Sequence, residues 1–172
     1  MKILILLALL NSGQVRDNVL ASNQRDTVCL SYLTVKQFKN QLAVLETGGL
    51  KQPYQAVNQY GYMGKYQISY AYLQKFGRVT KEEFLGSSWK QEVTMNRLIA
   101  HYLNFIWLHG WDKYIGTIID GTMVTLEGLL AGYHLYPVAL KLWLTGKGLT
   151  DLKDGNGTPV SRYVKHFDYR LR

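Results

Sequence analysis

The stretch 89–108 constrains the fold of this chain more than any other, because it has helical length and a second half with almost no polar side. Ser88 and Gln91 at its start have capping-box spacing, and Gly110 stands just past its end. Its second half carries Leu98, Ile99, Tyr102, Leu103, Phe105, Ile106 and Trp107, which make it apolar nearly all round. Such a helix is expected to be enclosed by protein, so the rest of the chain must supply elements that cover it.

The covering elements read as further helices. Thr34 and Gln37 open one over 35–47 that Gly48 and Gly49 end, a second spans 70–76 up to Gly77, and Thr80 with Glu83 starts a short one over 81–85. Beyond Gly110 the pattern predicts helices over 113–119, 126–135 and 138–144, and Thr158-Pro159 caps and starts a last one running to Phe167. Only 54–68, rich in Tyr, Gly and Asn, reads as a loop or small irregular β-hairpin. The expected fold is mainly α, a helical bundle around a buried central helix, as a single domain over 22–172.

With 47% hydrophobic residues, the chain of 172 residues can bury one core of its own. Cys29 is the only cysteine, so neither an intrachain disulfide nor a cysteine metal cluster can form and stability must come from packing. Met1 and Lys2 followed by an apolar run from Ile3 to Leu10 read as a secretory leader, with Val19-Leu20-Ala21 as the cleavage site. The run is far short of the ~20 residues that cross a bilayer. Residues 1–21 are therefore expected to be a signal peptide rather than a membrane span, and the protein to be secreted or periplasmic, in the cell envelope.

The formal net charge of +8 attracts polyanions of any kind. Nucleic acid is not the expected partner, since the sequence has no zinc-finger spacing, no ribonucleoprotein motif and no long Lys/Arg run. His101, His109, His134 and His166 form no metal-ligand pattern, and neither a His-Glu-x-x-His, a Gly-x-Ser-x-Gly nor a Gly-rich phosphate loop is present. No metal and no cofactor are expected.

One carboxylate stands out. At about 100° per residue, Val35, Phe38, Leu42 and Leu45 share a face of the first helix, with Glu46 at the edge of that stripe. The carboxyl is expected to face inward in the last helical turn, where the helix dipole and the apolar surroundings both disfavour ionisation. Its pKa should therefore be raised, and an acid that keeps its proton near neutral pH is what protonation of a glycosidic oxygen requires.

The residues beyond Glu46 give it a context. Glu46-Thr47-Gly48-Gly49 and then Tyr54-Gln55-Ala56-Val57-Asn58-Gln59-Tyr60-Gly61-Tyr62-Met63-Gly64-Lys65-Tyr66-Gln67 resemble the catalytic region of the lysozyme-like superfamily, above all its lytic-transglycosylase branch. There a Glu-Ser at a helix end precedes an Ala-Val-Asn stretch and Gly-x-x-Gln. Here Thr47 stands for the serine, and Lys65-Tyr66 for the common Leu-Met. The resemblance implies that Glu46 is the acid and that Thr47, Asn58, Tyr62, Gly64, Tyr66 and Gln67 serve the sugar cleft. Downstream, Leu130-Ala131-Gly132-Tyr133-His134 is loosely similar to the family's Ala-Tyr-Asn-Ala-Gly segment, which brings Tyr133 and His134 to the substrate. Tyr163, after the turn Asp154-Gly155-Asn156-Gly157-Thr158, is similar to the tyrosine that points toward the acid. Tyr60, Tyr62, Tyr66 and Tyr133 would suit a glycan cleft, because sugar rings offer C–H faces to aromatic planes, unless half of them simply pack.

Most glycosidases pair two carboxyl groups, and no second one occurs between Glu46 and Gln67. Glu82, Glu83, Glu92, Asp112, Asp120 and Glu127 remain, none of them in a matching motif. The single acid favours the transglycosylase route implied by the resemblance: cleavage of the MurNAc–GlcNAc β-1,4 bond of peptidoglycan by a monomeric wall-active lyase. A hydrolytic lysozyme or muramidase, a chitinase-like hydrolase, and a non-catalytic glycan-binding wall protein are the alternatives.

Overall fold

Local capping chemistry sets the helix ends along residues 33–171, the part of the chain that this computed structural model describes. The expected leader over 1–21 and Cys29 lie outside the described residues. Helix α1 (Val35–Thr47) opens on a complete Thr34–Gln37 capping box and closes at Gly48, whose N–H returns to the Val44 carbonyl. Helix α2 (Tyr70–Tyr72) is capped by Ser69 and widens into a π-helical turn over Leu73–Gly77, ended by Arg78 at φ 55° instead of by Gly77. Helix α3 (Lys81–Leu85) has the Thr80–Glu83 box.

Helix α4 (Ser88–Leu108) is the long central element, but it begins differently from the sequence reading. Its cap is Ser87, which accepts from Lys90 N–H, so the Ser88–Gln91 box does not form. Gln91 is fully buried and its amide is committed elsewhere, donating to the carbonyls of Tyr54 at 2.7 Å and Phe84 at 2.9 Å while accepting from Lys65 N–H. Leu98, Ile99, Tyr102, Leu103 and Ile106 lie in the core, whereas Trp107 and Leu108 are 38% and 76% exposed. Enclosure thus covers a broad stripe of α4 and leaves Trp107 and Leu108 on its open side.

Residues 113–119 do not form the expected helix. A 3-10 turn over Trp111–Tyr114 leads into strand β1 (Ile118–Ile119), which pairs antiparallel with β2 (Thr122–Met123) in the register Ile118↔Met123 and Ile119↔Thr122. The connecting Asp120 and Gly121 have φ of 48° and 70°, the left-handed pair that a two-residue hairpin needs and that Asp-Gly supplies. β-branched Ile118, Ile119 and Thr122 then favour strands over helix. The expected irregular hairpin over 54–68 is present as isolated bridges, Val57↔Met63 and Met63↔Ile68.

Helix α5 (Leu126–Leu135) is capped by Thr125, α6 (Pro137–Thr145) comes after Tyr136, and α7 (Val160–His166) starts from Pro159. Pro159 itself occupies the cap position and offers no capping bond, and Thr158 N–H turns back to Asp154 Oδ1 at 2.8 Å. A last 3-10 turn spans Tyr169–Leu171. Asp168, buried beside it, accepts from Met123 N–H at 2.8 Å and from Arg170 Nη2 at 2.7 Å, which ties the hairpin to the chain's last described residues. These bonds, led by that from Arg170, outweigh desolvation and hold the Asp168 carboxyl down at about 2.

The fold is therefore mainly helical with one small two-stranded antiparallel sheet. Its buried cluster runs from Phe38 on α1 through α4, α5 and α6 to Phe167. Among the described residues no helix is long and apolar enough to cross a membrane. What fixes the helices relative to one another is the approach of α5 and α7. A Cβ on Gly128 would stand 3.1 Å from Val164 Cγ1, and one on Gly132 would stand 2.9 Å from Leu140 Cδ1 and 3.2 Å from Val164 Cγ2. Two glycines four residues apart form a groove on one face of α5, into which Val160 and Val164 of α7 settle. Gly132→Leu should therefore destabilise the protein by about 2 kcal/mol or more through overpacking, seen as a lower urea midpoint at unchanged helical circular dichroism before the transition.

Candidate functional site

Three helix segments and two loops converge on Glu46. The α1 terminus carries Glu46, the end of α5 carries His134, and α7 carries Tyr163. The loop 54–68 and the turn 154–158 form the walls of a groove of about 430 Å³ above them. Glu46, Asn58, Tyr60, Tyr62, Gln67, Tyr70, Lys81, His134, Asp154 and Asn156 are among the residues that line it. Tyr60 spans the two walls, its hydroxyl donating to the Gly155 carbonyl at 3.0 Å.

The first wall is shaped by its own hydrogen bonds. Asn58 Oδ1 accepts from the N–H groups of Tyr60 and Tyr62 at 2.9 and 3.0 Å, an Asx turn that folds the tyrosines outward. Gly64 sits at φ 74°, and a Cβ there would come within 2.2 Å of Gln91 Oε1. Only glycine allows the loop to close onto α4 at this point. Gln67, itself at φ 46°, donates from Nε2 to the Gly64 carbonyl at 2.9 Å and completes the bend.

The two oxygens of Glu46 have different surroundings. Oε1 accepts from the Tyr163 hydroxyl at 3.0 Å and lies 3.5 Å from His134 Nε2. Oε2 has no hydrogen-bond partner among the described residues, yet it is not sealed inside the protein, so it opens on the groove. Burial pushes the Glu46 pKa up to about 8; the Tyr163 hydrogen bond opposes that rise and the charge of Asp154 adds to it. Near neutral pH the carboxyl therefore keeps its proton, and the engagement of Oε1 as an acceptor leaves Oε2 as the oxygen that bears it.

The neighbouring histidine is neutral for the same reason with the opposite sign. His134 is buried, which lowers its pKa to about 4 despite its bond to the Tyr66 carbonyl. Its Nε2 is 2.8 Å from that carbonyl oxygen and so carries the hydrogen, while Nδ1, 3.0 Å from the Tyr102 hydroxyl, accepts. One tautomer is thereby fixed, with the N–H on the Tyr66 carbonyl and Glu46 Oε1 3.5 Å from the same nitrogen. From about pH 4 to about pH 8 the site pairs a neutral imidazole with an uncharged carboxylic acid.

The structure brings together part of the expected residue set. Glu46, Asn58, Tyr62, Gln67 and His134 line the groove, and Tyr163 meets Glu46 from beneath. Thr47, Gly64, Tyr66 and Tyr133 do not line it. The Thr47 hydroxyl bonds back to the Ala43 carbonyl at 2.7 Å, and Gly64 serves the contact with Gln91. Tyr66 is fully buried with its hydroxyl on Glu92 Oε1, and Tyr133 packs its ring 4.8 Å from those of Tyr102 and Phe105.

Two kinds of groove residue were missed. Asp154 supplies a second carboxylate, whereas Glu82, Glu83, Glu92, Asp112, Asp120 and Glu127 all lie elsewhere. Its Oδ1 accepts from Asn156 and Thr158 N–H, the ordinary use of an aspartate before Gly-Asn-Gly, and that turn signal masked its position beside Glu46. Tyr70 and Lys81 also reach the groove, the Lys81 ammonium 4.6 Å from the centre of the Tyr70 ring. No sequence motif marks either. Among the described residues no three His, Cys, Asp or Glu side chains are grouped so as to hold a metal ion.

Comparison with family models, with curated proteins and with solved structures finds no match for this chain. The groove's chemistry stands on its own residues.

The raised pKa has a consequence for stability. Between 4.5, the ordinary glutamate value, and about 8 the unfolded chain releases a proton that the fold retains, so stability declines across that window as pH rises. Glu46→Gln removes this cost, and should raise stability near neutral pH by an amount on the order of 2 kcal/mol, with no gain below pH 4.5. Urea denaturation at several pH values reads the difference directly; equal gains at all pH values would contradict the burial of the acid.

Proposed function

We propose that this protein cleaves the glycan strands of peptidoglycan at the MurNAc–GlcNAc β-1,4 bond, as a lytic transglycosylase with a lysozyme-like arrangement in which Glu46 is the acid and then the base. The observation that carries this reading is the pair of unlike oxygens on one buried carboxyl, Oε1 held by Tyr163 and Oε2 open on an aromatic-edged groove. An acid kept protonated at the floor of a groove can deliver its proton to an oxygen of a bound polymer. Tyr60, Tyr62 and Tyr70, each between 42% and 53% exposed, offer planes on which sugar rings can rest.

The proposed cleavage has two stages. Oε2 protonates the glycosidic oxygen, the bond to the muramyl C1 breaks, and the departing GlcNAc keeps the proton as a hydroxyl. Positive charge at C1 is met by the substrate's own acetamido oxygen. Glu46, now a carboxylate, is stabilised by the Tyr163 hydroxyl that donates to Oε1, with the His134 ring 3.5 Å away. It then takes the proton of the muramyl 6-hydroxyl, whose oxygen closes onto C1 as an anhydro ring. The acid is restored and no water is consumed.

Asp154 favours a second reading. A carboxylate in the same groove could orient a water toward C1 and make the reaction a hydrolysis. Mass spectrometry of fragments released from purified walls separates the two, since anhydro ends are one water lighter than reducing ends. Chitin oligomers, which lack muramic acid, test the chitinase-like alternative. Export to the cell envelope accords with such a substrate and is part of the proposal.

Glu46→Gln should bind walls and lose cleavage by at least about 100-fold; cleavage that survives it would end the proposal, and walls bound without any cleavage by the unsubstituted protein would make it a binding module. For the unsubstituted protein kcat/KM should fall as pH rises through about 8, where Glu46 loses its proton, and again below about 4, where His134 gains one. Because the Tyr163 hydrogen bond lowers the Glu46 pKa, Tyr163→Phe should move the alkaline limb upward while the fold is kept. An alkaline limb that stays in place would assign it to another group.

A further inference from the structure

A second recess lies against the other end of α1. It has a volume of about 560 Å³ and is lined by Val35, Lys36, Lys39, Asn40, Tyr54, Lys65, Glu92 and Asn96, none of which lines the Glu46 groove. Three lysines face one glutamate, which leaves a surplus of two positive charges. Lys39 and Lys65 are largely shielded, their side chains 11% and 14% exposed. Both are paired with Glu92, whereas Lys36 stands exposed at the mouth of the recess.

The hydrogen-bond inventory is lopsided as well. Glu92 receives Lys39, Lys65 and the hydroxyls of Tyr54 and Tyr66, and although burial opposes ionisation these donors bring its pKa down to about 2. Lys39 Nζ also donates to Asn96 Oδ1 at 2.9 Å, and Lys65 Nζ to Asn40 Oδ1 at 3.3 Å. A lysine can only donate, so both asparagines must present oxygen to it and hold their NH₂ groups elsewhere. Among the described residues those two amide groups have no acceptor, and neither has the Lys36 ammonium. The acceptors of the recess are consumed internally while donors and positive charge are left over.

We propose that this recess binds a small oxyanion carrying two negative charges, a phosphate or a dicarboxylate group, between Lys36 and the amides of Asn40 and Asn96. The inference is independent of the glycan reading. Lysines act here as point charges and the amides as directional donors, a set that suits tetrahedral and carboxylate oxygens alike.

Titration of the full chain with inorganic phosphate and, separately, with succinate, monitored by amide NMR at low salt, tests it. The expected result is a saturable one-site response centred on Lys36, Lys39, Asn40, Lys65, Glu92 and Asn96, with the anion that produces it naming the oxyanion class. Asn96→Asp keeps an acceptor for Lys39 while replacing a donor by a negative charge, and Lys36→Gln removes an exposed cation without touching the core. Each should weaken binding about tenfold, whereas Lys141→Gln on α6 should not. No saturable response to either anion, a response spread over the basic surface, or undiminished binding by Asn96→Asp would overturn the assignment.

Discussion

The close approach of α5 and α7 across Gly128 and Gly132 is the constraint on which the site depends. Because neither glycine has a side chain to hold the helices apart, Val160 and Val164 enter the face of α5, and the helices come near enough for His134 and Tyr163 to reach one carboxyl group. The partner residue Glu46 is 117 positions from Tyr163 in the chain. A separation of one more side-chain layer would leave Oε1 without its donor, and a buried acid without a donor would be costly in either protonation state.

A second anchoring system works at the other side of the same loop. Gln91 and Glu92, adjacent on α4, take opposite duties: Gln91 fixes the backbone of Tyr54, Lys65 and Phe84, and Glu92 gathers the side chains of Lys39, Lys65, Tyr54 and Tyr66. Tyr66 joins the two regions. Its hydroxyl meets Glu92, while its carbonyl oxygen receives the His134 N–H that stands beside Glu46. The groove wall is thus held from behind by polar groups on a helix as well as by the hydrogen bonds within the loop, which lets the front face carry exposed aromatics.

Burial moves the two titratable groups of the site in opposite directions, Glu46 upward and His134 downward, and both shifts favour uncharged forms. That outcome reconciles a polar site with a low-dielectric setting: the hydrogen bonds are made without an ion pair. It also gives the proposed chemistry a reservoir, since the bond from Tyr163 to Oε1 strengthens once Oε2 has given up its proton. The anionic state is disfavoured at rest and supported when formed.

The sequence by itself determined the elements whose boundaries are set locally. Thr34 and Gly48, Thr80 and Glu83, and the run after Thr125 each specify a helix end through bonds within a few residues, and these ends stand where the pattern puts them. The inward-facing Glu46 was legible too, because a 3.6-residue period fixes the face of a helix once the core is known. Where two local readings competed, tertiary structure decided. Ser87 prevailed over Ser88 because Gln91 was needed under the loop, and Asp120-Gly121 turned a stretch readable as helix into a hairpin. Which tyrosines face the groove, how His134 chooses its tautomer, and that Asp154 stands beside Glu46 were decided only by packing between distant segments. Side-chain direction in an irregular loop has no period to read, and a hydrogen bond between residues a hundred positions apart leaves no local trace.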